Sequence, residues 1–174
     1  TAKVAGIVAE GAASVEGTRV VSLAVDKVEE PIEEFTNGWD LLQAADAIIF
    51  GTPTYMGGPS APFKVFADAS SKVWFGQGWK DKFAAGFTNS LTLSGDKSST
   101  LTYLFTLASQ HSMVWISQGV PHEGLTPESV NRFGAWSGLM TQSDNLPPEQ
   151  TPSAGDIETA RRFGARIASF VANH

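Results

Sequence analysis

Apolar positions along the chain switch between a helical period and short continuous runs. Over residues 2–16, Val4, Ile7, Val8, Gly11 and Val15 fall on one face at helical spacing, which predicts a helix that stops at Gly17. Arg19–Val25 is rich in β-branched residues and reads as a strand. A short helix is expected around Trp39–Ala45. Ala47-Ile48-Ile49-Phe50 is a continuous apolar run, the pattern of a strand buried on both faces, and Gly51-Thr52-Pro53 ends it. Residues 60–74 predict a second major helix, capped by Ser60, with Pro62 in its first turn and Phe63, Phe66, Ala69, Val73 and Trp74 on its apolar side. Phe83–Phe87 is the next buried strand, and Thr88–Lys97 a polar loop. Ser99 is expected to cap a third helix with Leu101, Leu104, Phe105 and Ala108 inward. Met113–Ile116 reads as the last clear strand. Residues 118–152 look irregular. Ser153 and Asp156 open a final helix whose inner face is Ile157, Ala160, Gly164, Ile167 and Val171.

This alternation predicts an α/β fold: a three-layer, doubly wound parallel sheet in one domain over residues 1–174. One feature breaks the pattern. In a doubly wound sheet each helix is the crossover from a preceding strand, yet this chain opens on a helix. The strand at 19–25 would then stand about two strand spacings, roughly 9–10 Å, from its neighbour. A first strand and a tight loop are therefore expected upstream of Thr1.

Composition narrows the function. The 12 Lys and Arg against 18 Asp and Glu give a net charge of −6, which argues against nucleic acid as a partner. A small anion stays possible, because backbone N–H groups bind one without charged side chains. There is no cysteine, so disulfides and thiolate chemistry are excluded. No apolar run approaches the ~20 residues of a membrane span, so no integral membrane segment is expected. The opening residues lack a signal-peptide pattern, and the chain suits the cytoplasm. His111, His122 and His174 lack metal-ligand spacing. Gly134–Gly138 is one residue out of the nucleophile-elbow pattern, and there is no Walker A sequence. A phosphoacceptor Asp is also missing from the end of the Ile48–Phe50 strand.

Ligands of open α/β sheets sit at the carboxyl ends of the strands. Three segments leave such ends here: Gly51–Gly58, Thr88–Lys97 and Ser117 onward. The first two are rich in Thr, Ser, Asn and Gly, which suits a flat heterocycle bearing carbonyls. In Gly51-Thr52-Pro53-Thr54-Tyr55-Met56-Gly57-Gly58, glycines allow close backbone approach and Tyr55 and Met56 offer a stacking surface. An ordinary strand-to-helix turn is the competing reading.

The segment Ala47–Gly57 resembles the FMN loop of the flavodoxin-like NAD(P)H:quinone oxidoreductases of the tryptophan-repressor-binding-protein (WrbA) type. The resemblance extends over nearly the whole chain: Val8-Ala9-Glu10-Gly11-Ala12, Phe66-Ala67-Asp68 with Trp74, Phe87-Thr88-Asn89-Ser90 and His111-Ser112-Met113-Val114 occur in the family's order. It implies a flavodoxin-like fold, FMN as cofactor, NAD(P)H as electron donor and a small-molecule quinone as acceptor. It places Thr1 at the end of the phosphate loop, where the first helix holds the FMN phosphate. It puts Pro53, Thr54, Tyr55, Met56 and Gly57 along the flavin edge. Asn89, Ser90, Leu91, Thr92, Leu93 and Ser94 become a second loop offering backbone N–H donors; Leu91 and Leu93 interrupt the family's glycines and make the pocket narrower and more apolar.

By the same resemblance Trp74 faces substrate, or is a buried aromatic at a helix end. His111, with Gln110 as the competing match, stands beside the flavin and polarises a quinone carbonyl as it takes a hydride, or is structural. Arg132 reaches a nicotinamide-cofactor phosphate, or is a solvated surface residue. The family forms homodimers or homotetramers, and the aromatic stretch Trp74, Phe75, Trp79, Phe83 and Phe87 offers either an interface or core. The expected function is two-electron transfer from NAD(P)H to quinones. The alternatives are a flavodoxin-type electron carrier docking on redox protein partners, and a fold that no longer binds flavin.

Overall fold

The computed structural model describes residues 1–174. A parallel sheet forms its middle layer. β1 (Ala47–Tyr55) alternates half-buried with buried positions, placing Ile48, Phe50, Thr52 and Thr54 inside. It runs parallel to β3 (Phe83–Ser90), in register from Ala47 opposite Phe83 to Pro53 opposite Asn89. The other edge of β3 takes two short strands in succession. β4 (Val114–Trp115) pairs with Phe83 and Ala84, and β5 (Leu139–Gln142) pairs with Phe87 through Ser90. Beyond its parallel ladder, β1 turns back into β2 (Gly58–Pro59), antiparallel to its last two residues.

Helices cover both faces because each offers one apolar stripe. On one face lie α1 (Ala2–Ala13) and α6 (Ala154–Ala172), whose Val4, Ile7, Val8, Phe163 and Ile167 pack on Ala85, Phe87 and Leu139. The two helices touch backbone to backbone: a Cβ added at Gly164 would stand 2.0 Å from the Val8 carbonyl oxygen. On the other face lie α2 (Gly38–Ala44), α3 (Ala61–Ala69) and α5 (Lys97–Gln110). Their core is aromatic: Trp39 stacks on Phe66 at 5.3 Å, and Trp79 packs 6.3 Å from each.

Several expectations are corrected. Residues 18–24 make no ladder. A cavity of about 980 Å³, lined by Val8, Ala12, Val21, Leu23, Ile49 and Phe50 among others, separates them from β1. Without a neighbour in hydrogen-bond reach, β-branched residues cannot form a strand. The helix expected over 60–74 breaks in two at Ser70, whose hydroxyl turns back to the Ala67 carbonyl at 2.7 Å; α4 (Ser71–Phe75) follows. Ser99 is no cap, because α5 begins two residues earlier, at Lys97. β5 lies inside the stretch expected to be irregular. The aromatic stretch is mostly core: Trp79 and Phe87 are buried, and only Trp74 and Phe75 are exposed. No helix is long and apolar enough to cross a membrane.

Candidate functional site

Three segments meet at the carboxyl end of the sheet. The first is the hairpin between β1 and β2. Met56 (φ 47°) and Gly57 (φ 76°) form its tip, both in the left-handed region that a two-residue hairpin favours. Tyr55 and Met56 project from it into solvent. Buried hydroxyls fix its base. Thr52 Oγ1 accepts the Ser60 N–H at 3.1 Å, and Thr54 Oγ1 lies 2.8 Å from Thr88 Oγ1 and 2.7 Å from Thr100 Oγ1. That chain of hydroxyls ties β1, β3 and α5 together where the loops begin.

The second segment, residues 91–96, leaves β3. Its carbonyls are fastened from beneath. Gln142 Nε2 donates to Leu91 O at 3.2 Å, Lys97 Nζ to Thr92 O at 2.8 Å and Leu93 O at 2.6 Å, and the Lys97 backbone N–H to Ser94 O at 3.1 Å. A trans peptide points its N–H opposite to its carbonyl. The N–H groups of Thr92, Leu93, Ser94 and Gly95 therefore face away from the protein, and none has an acceptor in the chain. Gly95 is needed here: its φ is +52°, and a Cβ would meet Ser90 Oγ at 2.3 Å.

The third segment is the polar floor that supports this loop. Arg132 Nε bonds Asp156 Oδ1 at 2.7 Å and a terminal nitrogen bonds Oδ2 at 3.1 Å, both side chains nearly buried. The same terminal nitrogen donates to Gln142 Oε1 at 3.1 Å, and Asp156 Oδ2 accepts the Gln142 N–H at 2.8 Å. Asn89 is held by Thr141 and Ser143. Burial, and secondarily the Arg132 charge, push the Lys97 ammonium down to about 8, while Asp156 opposes the shift.

The N-terminal turn of α1 reaches this end as well. Lys3 Nζ donates to Pro148 O at 2.6 Å and Thr151 O at 2.9 Å, and Thr151 Oγ1 donates to Gln142 O at 3.4 Å. The first backbone N–H of the helix to find a partner is that of Ala5, which leaves those of Ala2, Lys3 and Val4 open to an anion.

Thus the structure gathers Thr1, Pro53–Gly57 and Asn89–Ser94 at one end of the sheet. It brings Arg132 there as part of the floor, but not Trp74, Gln110 or His111. His111 and Gln110 end α5, whose 14 residues span about 21 Å, so within this chain the helix separates them from the loop. Trp74, Gln110 and His111 instead line a shallow cavity of about 270 Å³ with Asp68, Ser70 and Tyr103. His111 is buried against Trp79, ring centroids 4.3 Å apart. Ser70 Oγ donates to a carbonyl, so it accepts from His111 Nε2 at 2.8 Å, which puts a proton on Nε2, while the buried Nδ1 of the imidazole has no partner. Burial pushes its pKa below the ordinary value. Arg132 is no surface arginine: Asp156 and Gln142 engage its Nε and one terminal nitrogen, and only the other terminal nitrogen keeps its donors free.

Sequence reading missed Lys97, Gln142 and Asp156 as parts of the floor. The helix-opening position of Asp156 was visible; its pairing with Arg132, 24 residues away, was not.

A family model for NADPH-dependent FMN reductase matches residues 1–123. The chain is 42% identical over 159 residues to flavodoxin FldP of Pseudomonas aeruginosa, covering 90% of this chain and 85% of that protein. It is 30% identical over 183 residues to an NAD(P)H dehydrogenase (quinone) of Trichlorobacter lovleyi, covering 95% and 88%. A solved structure of a flavodoxin, WrbA-like protein from Agrobacterium tumefaciens superposes with a TM-score of 0.76 at 46% identity, covering 99% of this chain and 90% of that one. An oxidoreductase from Corynebacterium diphtheriae shares the fold, with a TM-score of 0.57 at 14% identity over 99% and 87% of the two chains.

Proposed function

Since the chain belongs to the NADPH-dependent FMN reductase family, we propose that this FMN oxidoreductase passes two electrons from NAD(P)H to quinones at the carboxyl end of its sheet. The observation that carries the reading is the outward row of N–H groups from Thr92 to Gly95, held by carbonyls fastened on the protein side. Four unpaired donors on an exposed loop fit a flat heterocycle edged with carbonyl oxygens and ring nitrogens. The open N–H groups of Ala2, Lys3 and Val4 fit its phosphate.

When bound, FMN supplies the hydride-accepting and electron-donating chemistry. The residues of this chain orient and enclose it. The Thr92–Gly95 N–H groups meet the polar edge of the ring, and Thr1 and the first turn of α1 meet the phosphate. The hairpin of Pro53, Thr54, Tyr55, Met56 and Gly57 flanks the ring, stiffened by its hydroxyl chain. Exposed Tyr55, Met56, Leu91 and Leu93 give the site an apolar rim, which suits a flat quinone better than a charged acceptor. Trp74 and His111 belong to such a site only if a second copy of the chain brings them to it, in a homodimer or homotetramer.

A second reading, an electron carrier docking on protein partners, is favoured by the relative named a flavodoxin and by the net charge of −6. One experiment decides. FMN titrated into the chain should quench with one-to-one stoichiometry. The loaded protein should then oxidise NAD(P)H with a benzoquinone as sole acceptor, giving parallel initial-rate lines. Saturable FMN binding without NAD(P)H oxidation would leave the carrier; no FMN binding would reject both.

A further inference from the structure

Lys97 is the most deeply buried charged side chain of the molecule, 1% exposed. Its ammonium donates to Ser90 Oγ at 2.9 Å, Thr92 O at 2.8 Å and Leu93 O at 2.6 Å, so each of its protons has an acceptor. It bonds no carboxylate. The charges that face it are the Asp156 carboxylate from α6 and the Arg132 guanidinium from the loop before β5, and these two are already paired with each other. The Phe133 ring stands 4.6 Å from its nitrogen and closes the remaining side.

A buried ammonium is costly unless it is hydrogen-bonded, and this one spends its hydrogen bonds on shaping a loop. Holding the Thr92 and Leu93 carbonyls inward turns the Leu93 and Ser94 N–H groups outward. The ammonium also sits at the oxygen end of both peptide dipoles, which polarises them and strengthens their N–H ends as donors.

We infer that Lys97 is the positioning residue of the flavin loop: it fixes the N–H row that meets the FMN ring and sets a positive charge behind it, favouring the reduced, electron-rich ring over the oxidised one. This rests on FMN binding at this loop, as proposed above. A hydrocarbon of similar length at position 97 would keep the volume, lose the clasp on both carbonyls and remove the charge.

The test uses the full chain with FMN. The affinity and two-electron midpoint potential of the wild type come first; a wild type that binds no FMN overturns the functional reading, and this one with it. In Lys97→Met the Kd for FMN should rise about tenfold, the loss expected of charge-assisted bonds. Reduced FMN should lose about tenfold more than oxidised FMN, lowering the potential by about 30 mV. Lys27→Met, an exposed change remote from the loop, should alter neither. A wild type that binds beside a Lys97→Met protein of equal affinity and potential overturns the inference alone. So does lost affinity at unchanged potential, the signature of a side chain that only supports structure. If Lys97→Met does not fold, the wild type still decides. Coupling is reciprocal, so reduction of bound FMN should raise the pKa of Lys97, read from its 13Cε resonance, by about one unit per tenfold. An unchanged titration on reduction overturns the inference.

Discussion

One helix carries a buried base at each end, and the two ends have been built for opposite purposes. Lys97 opens α5 and His111 closes it. Burial lowers the pKa of both. The lysine starts from 10.5 and falls to about 8, so at neutral pH it remains a cation. The imidazole starts at 6.5 and falls further, so at neutral pH it is uncharged. The same desolvation thus produces a buried charge at one end and a buried neutral ring at the other. The charge needs acceptors for three protons and recruits loop carbonyls, which exposes N–H donors on the outer side. The neutral ring needs one acceptor, Ser70, and leaves its Nδ1 without a partner against the Trp79 ring. The first arrangement prepares a surface for a polar ligand; the second fills a core.

The contrast breaks most forcefully at the floor of the charged end. Asp156→Asn keeps the shape but leaves the Arg132 guanidinium buried without its counter-charge. It should cost about 3–5 kcal/mol, seen as a lowered urea midpoint. Adding Arg132→Met to the same chain should recover much of that loss, because the orphaned charge goes with it. An Asp156→Asn protein as stable as the wild type would mean that the floor is solvated. Next in size, Gly95→Ala forces a side chain into the left-handed region and against Ser90 Oγ. It should cost about 1–2 kcal/mol. It should also weaken FMN binding by much more than it destabilises the fold, since Ser90 is one of the groups on the Lys97 ammonium.

How far the sequence shows these two ends follows from who their partners are. The middle of the fold was legible because burial writes itself into apolar runs: Ala47–Phe50 and Phe83–Phe87 are the paired hearts of β1 and β3. The outer face of the loop was legible by resemblance. Its inner face was not, because Lys97 binds backbone carbonyls, which every sequence supplies and no pattern marks. The Arg132–Asp156 pair joins residues whose neighbourhood exists only after β5 has joined β3. β5 itself was hidden because Leu139 and Met140 are its only large apolar residues, amid Gly, Ser and Gln. Arg19–Val25 erred the other way: its composition favours a strand, but a ladder also needs a neighbour, and across the cavity it has none.

His111 sharpens the comparison with the smallest effect at neutral pH. Its folded pKa lies below the unfolded value of 6.5. Between the two values the unfolded chain binds more protons than the folded one, so stability is full above pH 6.5 and falls as pH drops through the folded pKa. Protonation would strip Ser70 of no bond, since Nε2 already carries a proton, but would place a charge and a new donor where Nδ1 finds no acceptor. In His111→Gln, whose amide still offers Ser70 a donor, this acid-side loss should flatten, as followed by thermal melts between pH 7 and 5. Quinone reduction per bound FMN should stay near that of the wild type, because within one chain α5 separates position 111 from the loop. General acid catalysis contributes about a hundredfold or more. A loss of that size in His111→Gln, with FMN affinity unchanged, would mean that another copy of the chain delivers this imidazole to the flavin. The neutral end of the helix would then be as functional as the charged one.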